Sequence, residues 1–421
     1  MMELEKYSIG IGDRFGFQCA AQLRALQKAA ADGFGIVPVW NKSSREHTIA
    51  RTVPADASKA AEEAVRSCGW TDSYYIDADH IGPATVDAFL PSHNFFTIDV
   101  ADYIGKRLHG ASPGSFLAEM KNYQGSLDIP GIQAPLQITD IALEHFVRNY
   151  LHAITEAGKI YRYIAGRKGA DNFVTEISMD EAQSPQTPVE LFMILRAIAL
   201  EQIPIQTIAL KFTGAFLKGV DYVGDLKQFT REFHDDLAVI AFAVDRFRLP
   251  KNLKLSIHTG SDKFSLYPVM HDAIQSVDTG IHLKTAGTTW LEEIAGMAES
   301  SRDGLSLAKE IYEQSCLRYD ELCSPYLAVI NIDKHQLPAP AQVASWNSEQ
   351  FVQALRHDPL CRNYNPHLRQ LMHLGFKIAA EMGSRMAELR RECRSAIEGN
   401  VTANLYERHI CPLFLGSEFS E

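Results

Sequence analysis

Short apolar runs alternate with amphipathic helical segments along most of this chain. Each run is rich in β-branched and aromatic residues, ends in polar residues or glycine, and is usually followed by a helical segment. Such alternation is typical of βα units and a parallel sheet. The eight runs are Tyr7–Gly12, Gly35–Trp40, Ser73–Ile76, Asn94–Ile98, Asn172–Thr175, Ile205–Leu210, Leu253–Ile257 and Gly280–Thr285. Because eight parallel strands close a barrel, we predict an α/β fold of the (β/α)8 TIM-barrel type, with a doubly wound open sheet as the competing arrangement.

Two segments exceed a minimal barrel. An insertion of about residues 106–168 follows the fourth run, and its part from Ile138 to Ile164 is strongly helical. We expect it to act either as a lid over the pocket or as a helical subunit interface. The chain after the eighth run is mostly helical, with a 3.6-residue apolar period from Ile311 to Leu322 and from Leu368 to Ile397. We therefore predict a barrel domain of residues 1–295 and a helical extension of residues 296–421 packed on it.

Composition narrows the range of functions. The formal net charge is −11, which argues against a nucleic-acid partner because phosphate binding needs a basic surface. The seven cysteines are scattered and form no CxxC pair, so we expect reduced thiols and a cytoplasmic location. We expect no signal peptide and no membrane span. Neither G-x-G-x-x-G nor a Walker loop is present, and a nucleotide cofactor is therefore not supported.

Polar residues end the predicted strands, and in a barrel these ends meet at one pocket. Asp77-Ala-Asp79-His80 is the densest group. One interpretation is that His80 binds a metal and that a neighbouring carboxylate acts as a base. The alternative interpretation is that the segment is a capped turn with a purely structural role. His258 and His282 end or lie in the last two strands. Three histidines at one end of a barrel favour a divalent cation such as Zn, Mn, Ni or Co, although each histidine could be structural.

The remaining strand ends carry a carboxylate and several cations. Glu176 is a candidate fourth ligand or proton-transfer acid, and its alternative role is an ion pair with Lys211. The expected substrate-binding residues are Asp13, Arg14, Lys42, Lys211 and Lys284. Clustered cations in an acidic protein suggest an anionic small-molecule substrate, or else charge balance for the acidic ends. A desolvated Lys211 could also form a Schiff base with a ketone.

Five segments in order resemble the tagaturonate epimerases over about Tyr7 to Leu415. They are Ser8–Gly16, Ile76–His80, Ala209–Gly214, Ile257–Lys263 and His282–Gly287. The resemblance implies a divalent-metal enzyme of hexuronate catabolism that interconverts D-tagaturonate and D-fructuronate. It also implies a metal and acid–base site among Asp79, His80, Glu176, His258 and His282, without assigning each role. A homo-oligomer is possible for such an enzyme.

The chemistry expected of this substrate follows from carbon acidity. The inverted carbon lies one bond beyond the carbon next to the ketone, so simple enolisation does not make its hydrogen acidic. We therefore predict retro-aldol cleavage and re-addition, with the metal stabilising the enediolate and Asp79 acting as base. Direct proton exchange between Asp79 and Glu176 is the other route. The alternative functions are an aldolase or ketose isomerase acting on sugar acids or sugar phosphates, and an inactive barrel that binds a sugar acid.

Overall fold

Eight parallel strands close into a barrel in the computed structural model, which describes residues 2–107, 113–285 and 288–416. The barrel strands are β1 (Tyr7–Gly12), β2 (Val37–Ser43), β3 (Tyr75–Ile81), β4 (Phe95–Asp99), β7 (Val174–Ser178), β8 (Thr207–Ala209), β9 (Lys254–His258) and β10 (Ile281–Thr285). Each pairs with its neighbour in chain order, and β1 pairs with β10 to complete the ring. The predicted TIM-type barrel is confirmed, and the open sheet is wrong.

Some predicted features lie outside the described residues. They include Ala111 and Ser112 of the insertion, and Ala286 and Gly287 of the fifth resembling segment. The predicted domain boundary between residues 295 and 296 stays a prediction.

Several strands continue further than their apolar runs. Asn41 and Lys42 lie within β2, Asp77 to His80 lie within β3, and Glu176 lies within β7. The apolar run marks only the lower half of each of these strands, because the upper half faces a polar pocket instead of a core. Polar residues taken as strand ends are therefore held by the ladder of backbone hydrogen bonds, which gives them well-defined directions.

The barrel interior changes from apolar to polar along its axis. Val39, Tyr75, Phe95 and Val174 are buried together at the amino-terminal end of the strands. The next inward positions along the same strands are polar, since alternate residues of a strand face the same side. This gradient places the ionisable side chains at the carboxyl end of the barrel, where (β/α)8 barrels have their active sites.

Helices surround the barrel. Those that follow its strands are Cys19–Ala31, Ser44–Ala50, Pro54–Cys68, Val86–Phe89, Leu151–Lys168, Pro188–Leu200, Leu226–Phe247, Tyr267–Ser276 and Thr288–Ser300. Short 3-10 turns occupy Ala101–Tyr103, Lys121–Tyr123, Phe264–Leu266, Ser324–Val329 and Lys334–Gln336. No helix in the described ranges is both long enough and apolar enough to cross a membrane.

The insertion after β4 is helical where the sequence predicted it, since the helices Asp140–Asn149 and Leu151–Lys168 cover the run from Ile138 to Ile164. The part before that run contains the helix Gly114–Met120 and an antiparallel hairpin of β5 (Gly125–Leu127) and β6 (Leu136–Ile138). Tyr123 packs against Phe192 and Phe247 on two outer helices of the barrel. These contacts place the hairpin region against the side of the barrel, and they do not test a role as a lid.

The helical extension shares a second core with the helix Thr288–Ser300, and this core includes Trp290, Tyr312, Phe351 and Leu371. Its helices are Arg302–Leu317, Tyr319–Cys323, Pro340–Ser345, Ser348–Leu355, Pro366–Leu374, Phe376–Glu381, Ser384–Glu392 and Arg394–Ala403. The predicted helical region from Leu368 to Ile397 is thus four short helices. A fully buried ion pair between Asp262 and Arg369, 2.6 Å apart, joins the loop after β9 to this extension.

The final helix, Asn404–Leu415, has π-type hydrogen bonding and returns to the barrel. It packs against the helices Cys19–Ala31 and Tyr267–Ser276, which follow β1 and β9. That place in the outer ring would ordinarily belong to the helix after the last strand. The helix Thr288–Ser300, which does follow β10, packs instead on the helices Arg302–Leu317 and Arg394–Ala403 of the extension.

Candidate metal and active site

The upper end of β3 has an irregular backbone that directs its polar residues. The register with β4 shifts between Ala78 and Ile81, and His80 has a φ of 51°. A non-glycine residue in this left-handed region is uncommon, and bulges often redirect a side chain next to an active site. Asp77 and Asp79 face the barrel interior, while the bulge turns the side chain of His80 towards the ends of β7 and β9.

Two histidines and one aspartate converge above β7 and β9. The Nε2 atom of His80 lies 3.3 Å from Oδ1 of Asp180, and the Nδ1 atom of His258 lies 3.0 Å from Oδ2 of Asp180. The two imidazole rings are 5.2 Å apart between centroids. Among the described residues, these three form a group whose donor atoms all lie within 4.8 Å of one another. Asp180 thus links the ends of β3 and β9.

Each of these histidines is held by a second carboxylate through its other ring nitrogen. Nδ1 of His80 lies 2.7 Å from Oδ1 of Asp79, and Nε2 of His258 lies 2.9 Å from Oε1 of Glu176. Metal-binding histidines commonly donate their second N–H to a carboxylate, which sets the ring orientation. The arrangement therefore leaves one nitrogen of each ring directed at Asp180. Burial opposes protonation of His258, but Asp180 and Glu176 outweigh it and raise its pKa to about 9.

Lys284 occupies the centre of the barrel below this group. Its ammonium lies 2.7 Å from both Asp77 and Asp79, 3.5 Å from Glu176 and 2.8 Å from the hydroxyl of Thr97. Burial disfavours the charged lysine, but the three carboxylates outweigh it and raise the pKa of Lys284 well above its usual value. Burial likewise raises the pKa of Asp77 to about 6 despite this ammonium. Lys284 is therefore a fixed cation beneath the pocket.

His282 lies one inward position below Lys284 on β10 and outside the group around Asp180. Its Nδ1 atom is 2.9 Å from the hydroxyl of Ser8, and burial lowers its pKa to about 3. Gly10 on β1 makes room for both side chains, because a Cβ there would lie 2.9 Å from Cγ of Lys284 and 3.2 Å from Nε2 of His282. The contacts thus give His282 a place in the barrel interior as a neutral side chain.

The other predicted substrate-binding residues lie around the mouth of the barrel. The carboxylate of Asp13 accepts hydrogen bonds from backbone amides of its own loop, such as Gly16 at 2.7 Å. Lys42 donates to the carbonyl of Arg14 at 2.7 Å, and Arg14 pairs with Glu46 at 3.2 Å. Asp13 and Lys42 therefore shape the loop after β1. Lys211 is partly exposed just beyond β8 and does not pair with Glu176, which is bonded to Thr97, Thr207 and His258.

The donor set suits a first-row divalent cation. Two imidazole nitrogens and a carboxylate oxygen are ligands that Zn, Mn, Ni and Co accept, and three protein ligands leave positions for substrate oxygens. His80, Asp180 and His258 are the residues that would hold such an ion.

Comparison with known proteins agrees with this fold and shows the family of the chain. The sequence profile of the family described as UxaE: tagaturonate epimerase matches residues 1–392. The chain belongs to the tagaturonate epimerase family. The resemblance seen in the five segments is therefore confirmed at the level of the family.

Individual relatives of this family are more distant. A tagaturonate/fructuronate epimerase of Thermotoga maritima is 27% identical over 328 residues, which cover 75% of this chain and 63% of that protein. The chain thus matches less than two thirds of its curated relative. A glycerol-bound crystal structure of the fructuronate-tagaturonate epimerase UxaE from Cohnella laeviribosi superposes with a TM-score of 0.80 at 22% identity, covering 98% of this chain and 82% of that one. The native crystal structure of the same protein gives 0.74, also at 22% identity and covering 96% and 82%.

Asp180 is the member of the metal-binding group that sequence reasoning did not select. It lies two residues beyond the fifth barrel strand, whereas Glu176, within that strand, was chosen from the sequence as the carboxylate of the site. Alternation was the available signal: positions 176, 178 and 180 point to one side of an extended chain, and the highest of them reaches furthest into the pocket. Ser178 donates to Asp180 and helps to hold it there.

Proposed function

We propose that this chain catalyses the interconversion of D-tagaturonate and D-fructuronate with a divalent cation bound by His80, Asp180 and His258. The observation that supports this most strongly is the convergence of these three donors at the carboxyl end of a barrel that belongs to the tagaturonate epimerase family. The seven cysteines are free thiols, which supports the predicted cytoplasmic location.

A bound cation would supply Lewis-acid stabilisation of negative charge on the substrate oxygens. The protein's own residues supply the rest. Asp79 and Glu176 hold the rings of His80 and His258, so we assign them first to positioning. The prediction that these two carboxylates exchange protons with the substrate stays open. Asp99, at the end of β4, is a further candidate acceptor, because burial raises its pKa although His80 lowers it.

We propose inversion by retro-aldol cleavage and re-addition. A strand-end carboxylate takes the proton from the hydroxyl on the inverted carbon, and that carbon becomes an aldehyde. The bond to the carbon next to the ketone breaks, and its electron pair moves towards the ketone oxygen. Rotation of the aldehyde and re-formation of the same bond on its other face, with return of the proton, gives the epimer. No atom is gained or lost.

Metal analysis of the purified protein, combined with an NMR assay on tagaturonate, tests the proposed function. We expect a stoichiometric divalent cation, conversion to fructuronate, and loss of turnover with a chelator that is reversed by added metal. Protein that is folded and metal-loaded but does not epimerise either ketouronate would overturn the proposal.

Isotopes test the route. Turnover in deuterated water should leave the inverted carbon without deuterium, and a carbon isotope effect should appear at the bond that breaks. Solvent deuterium at the inverted carbon would instead establish proton exchange and rule out the aldol route.

An aldolase is the second candidate function, and Lys211 is the observation that favours it. Its side chain makes no hydrogen bond or ion pair within the described ranges, and it lies just beyond β8. Borohydride in the presence of a ketouronate would trap a Schiff base at Lys211 if the enzyme were an aldolase of that type. Absence of a trapped adduct, with turnover that depends on metal, would exclude it.

A further inference from the structure

Lys218 is a cation without a partner in the loop that follows β8. It is only partly exposed, and its ammonium makes no hydrogen bond or ion pair within the described part of the chain. Its ammonium lies over the ring of Tyr326, 5.1 Å from the ring centroid. Burial, together with the charges of Arg14 and Arg45, lowers the pKa of Lys218, although the more distant carboxylates of Glu46 and Glu181 act in the opposite direction. A cation in this position costs free energy unless something negative compensates it.

Other positive groups surround Lys218. The guanidinium of Arg45 lies over the same Tyr326 ring, at 4.4 Å. Arg14 donates from Nη1 to the carbonyl of His373 at 3.0 Å and pairs through Nε with Glu46. Its Nη2 atom has no hydrogen-bond partner among the described residues. Glu46 pairs directly with Arg14, whereas no carboxylate of the described residues forms an ion pair with Lys218 or Arg45.

His373 adds a second, independent sign of a missing ligand. Its side chain is 1% exposed, and neither Nδ1 nor Nε2 has a hydrogen-bond partner among the residues that the structure describes. Buried polar atoms are normally satisfied, so two unsatisfied nitrogens on one ring require an explanation. The loop carrying Lys218 touches this histidine, since a Cβ on Gly219 would lie 3.6 Å from Cβ of His373. An anion received by these groups would satisfy the lysine and the imidazole together.

The cluster faces the same end of the barrel as the metal-binding group. Arg14, Arg45 and Lys218 all lie on segments that leave the carboxyl ends of strands, and the helix Pro366–Leu374 brings His373 to them. Glu181 connects the two places, because it follows Asp180 in the chain and interacts electrostatically with both His80 and Lys218. The shared neighbour Glu181 therefore places the cluster beside the metal-binding group.

We propose that Arg14, Arg45, Lys218 and His373 form the subsite that binds the carboxylate of the ketouronate. This inference rests on the proposed function. It assigns a binding site to the carboxylate end of the substrate, which the metal would not contact. Guanidinium and ammonium groups form short, charge-assisted hydrogen bonds with carboxylates. The subsite would make the enzyme select a ketouronate over the ketohexose that has a hydroxymethyl group in place of the carboxylate.

The subsite also has a consequence for the retro-aldol route. After cleavage, the carboxylate is on the three-carbon aldehyde that contains the inverted carbon. Binding of the carboxylate by the subsite keeps this fragment in the enzyme while the aldehyde group rotates about the adjacent bond. Weaker binding of the carboxylate should therefore allow the aldehyde fragment to escape into solution during turnover.

Lys218→Met and Lys218→Arg test the subsite, and Lys251→Met is the control. Lys251 is exposed on the loop before β9, at the opposite end of the barrel. We expect Lys218→Met to lower kcat/KM for tagaturonate by about 10- to 100-fold, mainly through KM. The inhibition constant of the neutral ketohexose should stay within about 3-fold, Lys218→Arg should recover most of the loss, and Lys251→Met should resemble the wild type.

The outcomes separate the subsite from the proposed function. If Lys218→Met weakens the binding of the ketouronate and of the neutral ketohexose equally, or leaves kcat/KM for tagaturonate unchanged, the proposed subsite is wrong. The proposed epimerase function is not affected by that result. If the wild type does not turn over tagaturonate, the proposed function fails, and calorimetric binding of tagaturonate to the wild type and Lys218→Met still decides the subsite. Equal affinities in that measurement would overturn it.

Discussion

Histidines of this barrel differ in role because of what their two ring nitrogens contact. His80 and His258 each have one nitrogen on a carboxylate and the other directed at Asp180, whereas His282 contacts the hydroxyl of Ser8. Sequence reasoning placed all three at one end of the barrel, but it could not orient the rings. At the scale of the residue, the contact made by the second nitrogen separates a candidate ligand from a buried neutral side chain.

Asp180→Asn tests the carboxylate of the metal-binding group. Loss of the charge between two imidazoles should lower the affinity for a divalent cation by at least about 10-fold, measured by calorimetric titration of metal-free protein. Glu181→Gln, one residue further along the chain, is the control and should retain the metal. Equal metal affinity in Asp180→Asn and the wild type would remove Asp180 from the site.

Glu176→Gln tests positioning through a ligand. Glu176 is fully buried and reaches His258 without reaching solvent. The amide should weaken metal binding by about 10- to 100-fold, because it holds the ring less firmly and lowers its basicity. Thr207→Val removes another hydrogen bond to the same carboxylate, 2.7 Å long, and should have a smaller effect on the metal. The positioning role of Glu176 is wrong if the two variants weaken metal binding equally.

At the scale of elements, the last helix completes the outer layer of the barrel. Leu405, Ile410, Leu413 and Phe414 belong to the barrel core, and Phe414 packs on Tyr7 at 5.8 Å between ring centroids. The helix after β10 is meanwhile committed to the extension. The final helix therefore packs in the outer layer of the barrel, although it follows the helices of the extension in the chain.

Phe414→Ala tests this packing. Removal of a fully buried aromatic ring from the barrel core should lower the free energy of unfolding by about 3 to 5 kcal/mol, measured by urea denaturation. Leu360→Ala, at a side chain that is 96% exposed in the extension, should change it by no more than about 0.5 kcal/mol. A similar small change in both variants would mean that the final helix adds little to the barrel.

At the scale of the whole molecule, buried charges join the barrel to the extension. Glu293, on the helix after β10, pairs with Arg390, whose guanidinium lies 3.7 Å from the ring centroid of Phe15 in the first barrel loop. Burial raises the pKa of Glu293 to about 7, although Arg390 lowers it. The helix after β10, the extension and the first barrel loop therefore meet at Glu293, whose negative charge is costly to bury.

The stability of the protein should therefore depend on pH through Glu293. The folded protein keeps a proton that the unfolded chain releases above its ordinary pKa of 4.5. The stabilisation contributed by this group is complete below pH 4.5 and is lost as pH rises to about 7, by up to about 3 kcal/mol. Glu293→Gln should lose this fall, measured as urea midpoints at pH 5 and pH 8, while the exposed-site control Glu388→Gln should keep it. An unchanged pH dependence in Glu293→Gln would contradict the assignment.

The sequence by itself determined the barrel, its polar end and the family. These depend on local properties: apolar runs predict strands, strand ends of a parallel barrel converge, and five segments carry the resemblance. Tertiary structure decided the rest. It selected Asp180 to join His80 and His258, placed His282 and Lys284 in the interior, and brought Arg14, Arg45, Lys218 and His373 together. Such choices depend on side-chain directions and on contacts between residues far apart in the chain, which periodicity does not encode.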